Sequence, residues 1–339
     1  MPARTSASAS SLAKSTDRRI DKLLSLLIDH ATVVISGAKI ARELGVSRST
    51  VWHWVETLRA LGVRIKGYPR TGYQLQQIPD ILVPQLLRRR LQTTQFGKRI
   101  HHFFKTTSTN DVALALAAAG EPHGTVVLAE EQTAGRGRLG RRWFSEKTRG
   151  IYFSLLLRPP LNPRQAPLLT LVAGLATRES VVEVSGLPVD IRYPNDLLVD
   201  GKKFCGILTE MQAETDRVHY VVVGVGVDVN HTALPADLKD IATSLRLVGG
   251  RSYSRLEILV RLLTWFDFYY NRLLTEGAAP IIARFTEVSS YARNKTVRVN
   301  TGRETFIATT AGLDDSGVLL LRRDDGAIVP HLVGDLTEA

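Results

Sequence analysis

A chain of 339 residues exceeds one ordinary domain, and its 44% apolar and 23% charged residues suit a soluble globular protein rather than a fibrous or disordered one. No apolar run reaches the roughly 18–20 residues of a membrane span, and a single cysteine, Cys205, excludes an intramolecular disulfide, so a cytoplasmic location is expected. The net charge of +11 is lopsided: residues 1–76 hold 12 Lys and Arg against 5 Asp and Glu, which calls for an anionic partner at that end.

The opening "MPARTSASASSLAKSTDRR" has no acid before Asp17 and lacks the large apolar residues of an amphipathic face. A disordered tail over residues 1–18 is expected there in preference to an amphipathic transit peptide. From 19 to 78 the pattern is helical, then strand-like. Ile20, Leu23, Leu24 and Leu27 share one helical face. A second helix begins with Ser36 as N-cap and carries Ile40, Ala41 and Leu44 on one side. After a turn at Gly45-Val46, a third carries Val51, Val55, Leu58 and Leu61. Two short helices joined by a glycine turn, followed by the alternating "VRIKGYPRTGYQL", predict a winged helix-turn-helix. Ser47, Arg48, Ser49, Thr50 and His53 would then face base edges and phosphates, with Lys66 and Arg70 adding charge on the wing. Double-stranded DNA is the expected partner.

A polar, proline-containing connector places a boundary near residue 80. Over 95–288, strand-like "IHHFF", "TVVLAEE", "GIYFSLLLRP", "VDIRY", "FCGILTEM" and "HYVVVGVGV" alternate with helical stretches, including "NDVALALAAAG", "PLLTLVAGLATRESVVEVSG" and Tyr253–Glu276. This predicts a mixed α/β domain built on a sheet. Over 291–339, short strands separated by "TGR", "DDSG" and "DDG" predict a small antiparallel barrel of the SH3-like kind.

"TAGRGRLGRRWFS", Thr133–Ser145, packs four arginines and three glycines into Gly135–Arg142. The glycines formally spell G-x-G-x-x-G, but "RRWFSE" does not open the apolar helix a dinucleotide fingerprint needs, and no Gly-Lys-Ser/Thr follows for a P-loop. A mobile cationic loop that closes over a phosphate-bearing ligand is the reading left.

"EEQTAGRGRLGRRWFS" resembles the signature loop of biotin–protein ligases. "TSTN" (Thr107–Asn110), "RYPNDLLVDGKKFCGILTE" (Arg192–Glu210) and "GVGVDVN" (Gly224–Asn230) resemble that family's other motifs, in the same order. With the helix-turn-helix in front, the chain from about residue 20 is similar to the bifunctional biotin–protein ligase and biotin-operon repressor family. The resemblance implies a two-step reaction. Biotin's carboxylate attacks the α-phosphate of ATP, giving biotinyl-5′-AMP and pyrophosphate, and a lysine of biotin carboxyl carrier protein then displaces AMP. It implies biotin, ATP and magnesium as ligands, and a homodimer promoted by biotinyl-5′-AMP on paired operator half-sites. Position by position, Ser108, Thr109, Asn110 and Gln132 belong at the biotin pocket, and Gly135, Arg136, Gly137, Arg138 and Arg141 wrap carboxylate and adenylate. Lys203 bridges carboxylate and phosphate, Asn195 and Asp196 flank the nucleotide, and Asp196 is a candidate to deprotonate the incoming lysine. No residue is expected to form a protein metal site. Cys205 is expected to pack in its strand rather than react.

Three features depart from the family pattern. Arg192-Tyr193 stands for Lys-Trp, Asp228 for the asparagine of GxGxN near the nucleotide, and little chain follows "HLVGDL" in the barrel. Two other functions fit parts of the pattern: a biotin-sensing regulator without ligase activity, and a lipoate or octanoate ligase, which would lack the arginine loop.

Overall fold

The computed structural model describes residues 17–77, 80–302, 304–331 and 334–339. The expected tail lies outside these residues except for Asp17 and Arg18, which open the first helix. The N-terminal module comprises α1 (Asp17–Asp29), α2 (Gly37–Leu44), α3 (Arg48–Ala60) and a hairpin of β1 (Ile65–Tyr68) and β2 (Gly72–Leu75). Its helix ends follow from local chemistry. Ser36 Oγ accepts from Lys39 N and Ser47 Oγ from Thr50 N, both at 3.1 Å. Gly45, at φ 66°, ends α2 in the left-handed region that a side chain resists. Leu23, Leu24, Leu27, Ile40, Val51, Val55 and Leu58 are fully buried, whereas Leu61 is only half-buried. This core also takes in Ile81 and Val83 of the connector and Phe104 of the next domain, so the module is docked on the rest of the molecule.

The central domain adds α4 (Pro84–Arg90), β3 (Ile100–Phe103), α5 (Thr109–Ala118), β4 (Thr125–Ala129), β5 (Ile151–Leu157), α6 (Leu168–Ser185), β6 (Asp190–Arg192), β7 (Asp196–Val199), β8 (Lys202–Ala213), β9 (Val218–Val227), α7 (Leu245–Gly249), α8 (Arg255–Glu276) and α9 (Ala279–Val288). Its seven strands lie in the order β3-β4-β5-β9-β8-β7-β6, parallel only between β3 and β4. Strand alternation sorts residues onto two faces. Val221, Val223, Val225 and Val227 join the large core with Ile151, Phe153 and Leu155, against residues of α6 and α8. Their neighbours Gly224 and Gly226 face the other way and leave that face bare beside α5. Two elements, β7 and α7, were not predicted: one is a four-residue strand inside "PNDLLVDG", the other a single helical turn.

The C-terminal domain is a five-stranded antiparallel sheet of β10 (Arg293–Asn300), β11 (Thr305–Leu313), β12 (Leu319–Arg322), β13 (Ile328–Pro330) and β14 (Asp335–Glu338), in the order β13-β12-β11-β10-β14. Val297, Val299, Ala308, Leu319, Leu321 and Leu336 close its core. Among the described residues, no helix is long and apolar enough to cross a membrane.

Candidate functional site

The bare face is organised by register. Asp196 pairs with Gly206, Gly206 with Gly226 and Gly226 with Tyr152, so one row crosses β7, β8, β9 and β5 on a single face. A second row runs Leu208, Gly224, Ser154. Trp143 lies over the first row: a Cβ added at Gly226 would come 2.5 Å from its Nε1, and one at Gly206 2.8 Å from its Cζ3. Only glycine lets the indole settle there, so the alternation in "VVVGVGV" is both a core signal and a docking surface.

Lys203 reaches this face through a bulge. Leu197 pairs with Cys205 but Leu198 with Lys203, which inserts Phe204 as an extra residue in β8. Phe204 and Cys205 both enter the core, and Lys203 shares a face with Gly206 three residues on, which strict alternation would forbid. Burial holds the Cys205 thiol well above its ordinary pKa, consistent with packing rather than reactivity. Lys203 Nζ lies 5.4 Å from the centroid of the Trp143 ring and 2.6 Å from Asp196 Oδ1, while Arg192 Nη2 lies 2.8 Å from Asp196 Oδ2. Burial opposes ionisation of Asp196, but Lys203 and Arg192 outweigh it and hold the carboxyl below its ordinary range. That lowers its basicity, so Asp196 serves Lys203 as a counter-charge better than it serves an incoming amine as a base. Arg192 keeps the charge of the family's lysine, and Tyr193 packs edge-on against Phe285 at 6.2 Å.

At the other end, Ser108, Thr109 and Asn110 are buried at the start of α5. Ser108 occupies the N-cap position without using its side chain to cap. Gln132 Oε1 accepts from Thr109 N at 2.7 Å, and Gln132 Nε2 donates to Ser145 Oγ at 3.1 Å. Asn110 Oδ1 accepts from Ser154 Oγ at 2.6 Å, and its Nδ2 donates to Glu210 Oε2 at 2.8 Å. Asn110 lies directly over Gly224, where a Cβ would collide with it.

The arginine loop is tied down by backbone and side-chain contacts. It folds back on itself: Gly137 N donates to Arg141 O at 2.7 Å and Trp143 N to Gly135 O at 2.8 Å, around a turn at Arg138–Gly140. Gly135 is buried against Trp143, Ser145 and Gln132. Arg138 Nη1 donates to Asn195 Oδ1 at 2.9 Å, so these two expected ligand residues do meet. Arg136 instead pairs with Asp111 at 2.7 Å and Glu210 at 3.0 Å, and Arg141 with Asp335 of the C-terminal domain. Both are drawn to carboxylates that lie far along the chain, which spacing could not reveal.

Asp228 is buried, its Oδ1 lacks a hydrogen-bond partner among the described residues, and burial lifts its pKa well above the carboxylate range even with Lys203 opposing. A protonated carboxyl carries both a donor and an acceptor, as the asparagine of the family pattern does, but with one hydrogen fewer to donate. His231 Nδ1 lies 3.6 Å away, and burial, with Arg149 and Arg255, lowers the His231 pKa to about 4. Trp143 Nε1 and His231 Nδ1 likewise lack partners. Buried polar atoms without partners beside a glycine-bared trough are what a polar ligand would satisfy.

On the N-terminal module, Arg48, Ser49, His53, Lys66 and Arg70 are exposed, with Arg70 at the tip of the wing at φ 64°. Ser47 and Thr50 are occupied with capping: their hydroxyls lie 2.8 Å apart and Thr50 is half-buried. Trp52, 57% exposed between Ser49 and His53, was not singled out, because an aromatic residue in an amphipathic helix reads as core.

Comparison with known proteins agrees with this geometry. Residues 103–228 match the biotin/lipoate A/B protein ligase family, residues 19–74 an HTH domain and residues 294–335 the biotin protein ligase C terminal domain. The biotin–[acetyl-CoA-carboxylase] ligase of Mycobacterium tuberculosis is 34% identical over 71% of this chain and 92% of its own. A solved biotin protein ligase from Aquifex aeolicus in complex with biotin and ATP superposes with TM-score 0.61 at 29% identity, covering 71% of this chain and 98% of that one. The bifunctional ligase/repressor BirA of Bacillus subtilis is 39% identical over 90% of this chain and 94% of its own length. The chain belongs to the family of bifunctional biotin ligase/repressors.

Proposed function

We propose that the protein joins biotin to a lysine of biotin carboxyl carrier protein at the expense of ATP, and represses transcription of biotin-synthesis genes through its N-terminal module. The observation that carries the ligase reading is the single sheet face holding the Thr109–Gln132 corner, the two bare glycine rows, and Lys203 with its carboxylate partner, roofed by Arg138 and Trp143. Biotin would take the Ser108–Asn110 end with its carboxylate toward Lys203, and the adenylate would lie toward Asn195 and Asp228.

In this reading Lys203 and Arg138 do the electrostatic work. Two anions must meet when the carboxylate attacks the α-phosphate, and fixed cations lower that barrier without reorganisation. The loop shields the resulting mixed anhydride from water. Asp196 holds Lys203 in place until phosphate takes over as its partner. When the carrier amine displaces AMP, its proton must leave before or during attack, since the free pKa near 10.4 keeps it charged; the bound phosphate or water suits this better than Asp196. Magnesium would arrive with the triphosphate as part of the substrate.

On DNA, Arg48, Ser49 and His53 would read the major groove while Lys66 and Arg70 contact phosphates. One small module makes few contacts, so we infer a homodimer on paired half-sites, promoted by biotinyl-5′-AMP. The deciding experiment mixes the protein with biotin and MgATP, then adds carrier domain. Pyrophosphate release followed by biotinylated carrier is expected. Adenylate that never transfers, or no adenylate with biotin-dependent DNA binding, would leave a sensor; transfer of lipoate or octanoate in place of biotin would replace the substrate.

A further inference from the structure

Four buried or nearly buried charged residues form a chain between parts of the molecule far apart in sequence. Asp21 Oδ1 of α1 lies 2.9 Å from His102 Nδ1 on edge strand β3. His102 Nε2 lies 3.6 Å from Glu130 Oε1, just past β4, and Glu130 Oε2 accepts from Arg255 Nη1 of α8 at 2.8 Å. The side chains of His102, Glu130 and Arg255 are fully buried. The connector is tied to the same node: Arg255 Nε donates to Asp80 Oδ2 at 3.1 Å, Arg255 Nη2 donates to the Asp80 carbonyl, and Leu82 N donates to Glu130 Oε1 at 2.7 Å.

The node also holds both stems of the loop over the trough. Arg255 Nη1 donates to Gly150 O at 2.9 Å, and Thr148 N donates to Glu130 O at 3.0 Å. Glu130 stands two residues before Gln132, which fixes Thr109. One guanidinium thus touches the segment before the loop, the segment after it and the connector, and its carboxylate partner faces the histidine that receives α1.

Buried ion pairs are a poor source of net stability, because desolvation offsets their attraction. They do enforce one register, since displacing a partner leaves a charge uncompensated. The two flanking carboxylates overcome the cost of burial and raise the His102 pKa to about 10, so the imidazole is cationic at neutral pH. Each link therefore needs the next.

We propose that the Asp21–His102–Glu130–Arg255 chain is the coupling element through which the loop over the catalytic trough sets the placement of the DNA-reading module. It rests on the reading of that module as a ligand-responsive repressor domain. Adenylate that repositions the loop shifts its stem at Glu130, His102 follows its carboxylate, and α1 follows His102. Asp21 and His102 are positioning residues, not members of the catalytic set.

The test uses the full chain and Asp21→Asn, which keeps the side chain's shape but removes its charge. Adenylation rates and KM for biotin and MgATP are measured alongside affinity for a duplex that the wild type selects from a randomised pool, with and without biotinyl-5′-AMP. Wild-type affinity should rise about 5- to 150-fold with the adenylate, the usual span of such couplings. In Asp21→Asn the ratio should fall toward one while adenylation stays within about twofold. A merely structural contact would weaken binding equally in both conditions and leave the ratio intact, and an unchanged ratio overturns the proposal. Hydrogen exchange of α1 gives a readout that needs no DNA: adenylate should change its protection in the wild type and not in the variant, and equal changes in both also overturn it. A wild type that ligates biotin but binds DNA indifferently to adenylate removes the repressor reading, and the coupling with it.

Discussion

The protein contains two clusters of opposite charges, and they differ in what completes them. Around Lys203, Asp196 and Arg192 the charges sit at the edge of a trough, with Lys203 side chain 27% exposed and the unpartnered Trp143 Nε1 and Asp228 Oδ1 close by. Around Glu130, Arg255 and His102 the charges are sealed, and the Arg255 guanidinium meets two carboxylates and two carbonyls. The first cluster is built to exchange a protein partner for a ligand; the second is built not to change partners at all. A binding site and a structural node can thus use the same residue types, and the partial exposure of Lys203 against the full burial of His102, Glu130 and Arg255 tells them apart.

The sharpest way to break this comparison is Glu130→Gln. Removing one member of a buried pair leaves Arg255 uncompensated, which should cost about 3–5 kcal/mol in urea unfolding. A loss below about 1 kcal/mol would mean that the node is not sealed. Lys203→Ala should do the reverse: stability nearly unchanged, and adenylate formation slowed by roughly 10- to 150-fold through loss of a charge-assisted contact of about 1.5–3 kcal/mol. Pyrophosphate release at wild-type rate would take Lys203 out of the site.

Titration distinguishes individual buried groups by sign. Glu130 is held at about pKa 2 in the fold, because Arg255, His102 and Leu82 N–H outweigh its burial. Its contribution is present above its ordinary value near 4.5 and is lost as pH falls through about 2. His102 works at the other end: its contribution is full below its ordinary 6.5 and disappears as pH rises through about 10. Asp228 has the opposite sign to Glu130. Its folded pKa is raised, so it costs stability increasingly as pH rises above the ordinary carboxylate value. Asp228→Asn should therefore stabilise the fold more at pH 8 than at pH 5, and equal effects at both would show that the carboxyl is not desolvated. The smallest effect belongs to the wing, where Arg70→Ala should reduce the salt slope of DNA binding by about one without changing sequence preference.

Much of this was legible because the chemistry was local. The Ser36 cap, the Gly45 turn, the wing alternation and the Gly224-Val-Gly226 alternation each act within a few residues, and the family likeness rested on contiguous motifs; Ser47, expected to face DNA, caps its helix instead. Lys203 was legible as a motif residue, but the bulge that turns it onto the site face was not, since a one-residue register shift leaves no mark in composition. Trp52 was missed because burial, not residue type, decides whether a tryptophan is core. His102, Glu130 and Arg255 are single charged residues in apolar surroundings, and nothing in their neighbours announces that they meet.

By itself the sequence determined the kinds of local structure, the three-part order of the chain and the residues that could serve a phosphate-bearing ligand, since short-range sterics, capping and hydrophobic period act along the backbone. Tertiary structure decided the pairings. It sent Arg136 to Glu210 and Arg141 to Asp335, laid Trp143 on two bare glycines, raised the Asp228 pKa by burial and joined Asp21 to Arg255. Each of these depends on distances between residues remote in the chain and on the loss of water around them, and charge–charge energies take their size and even their sign from that desolvation.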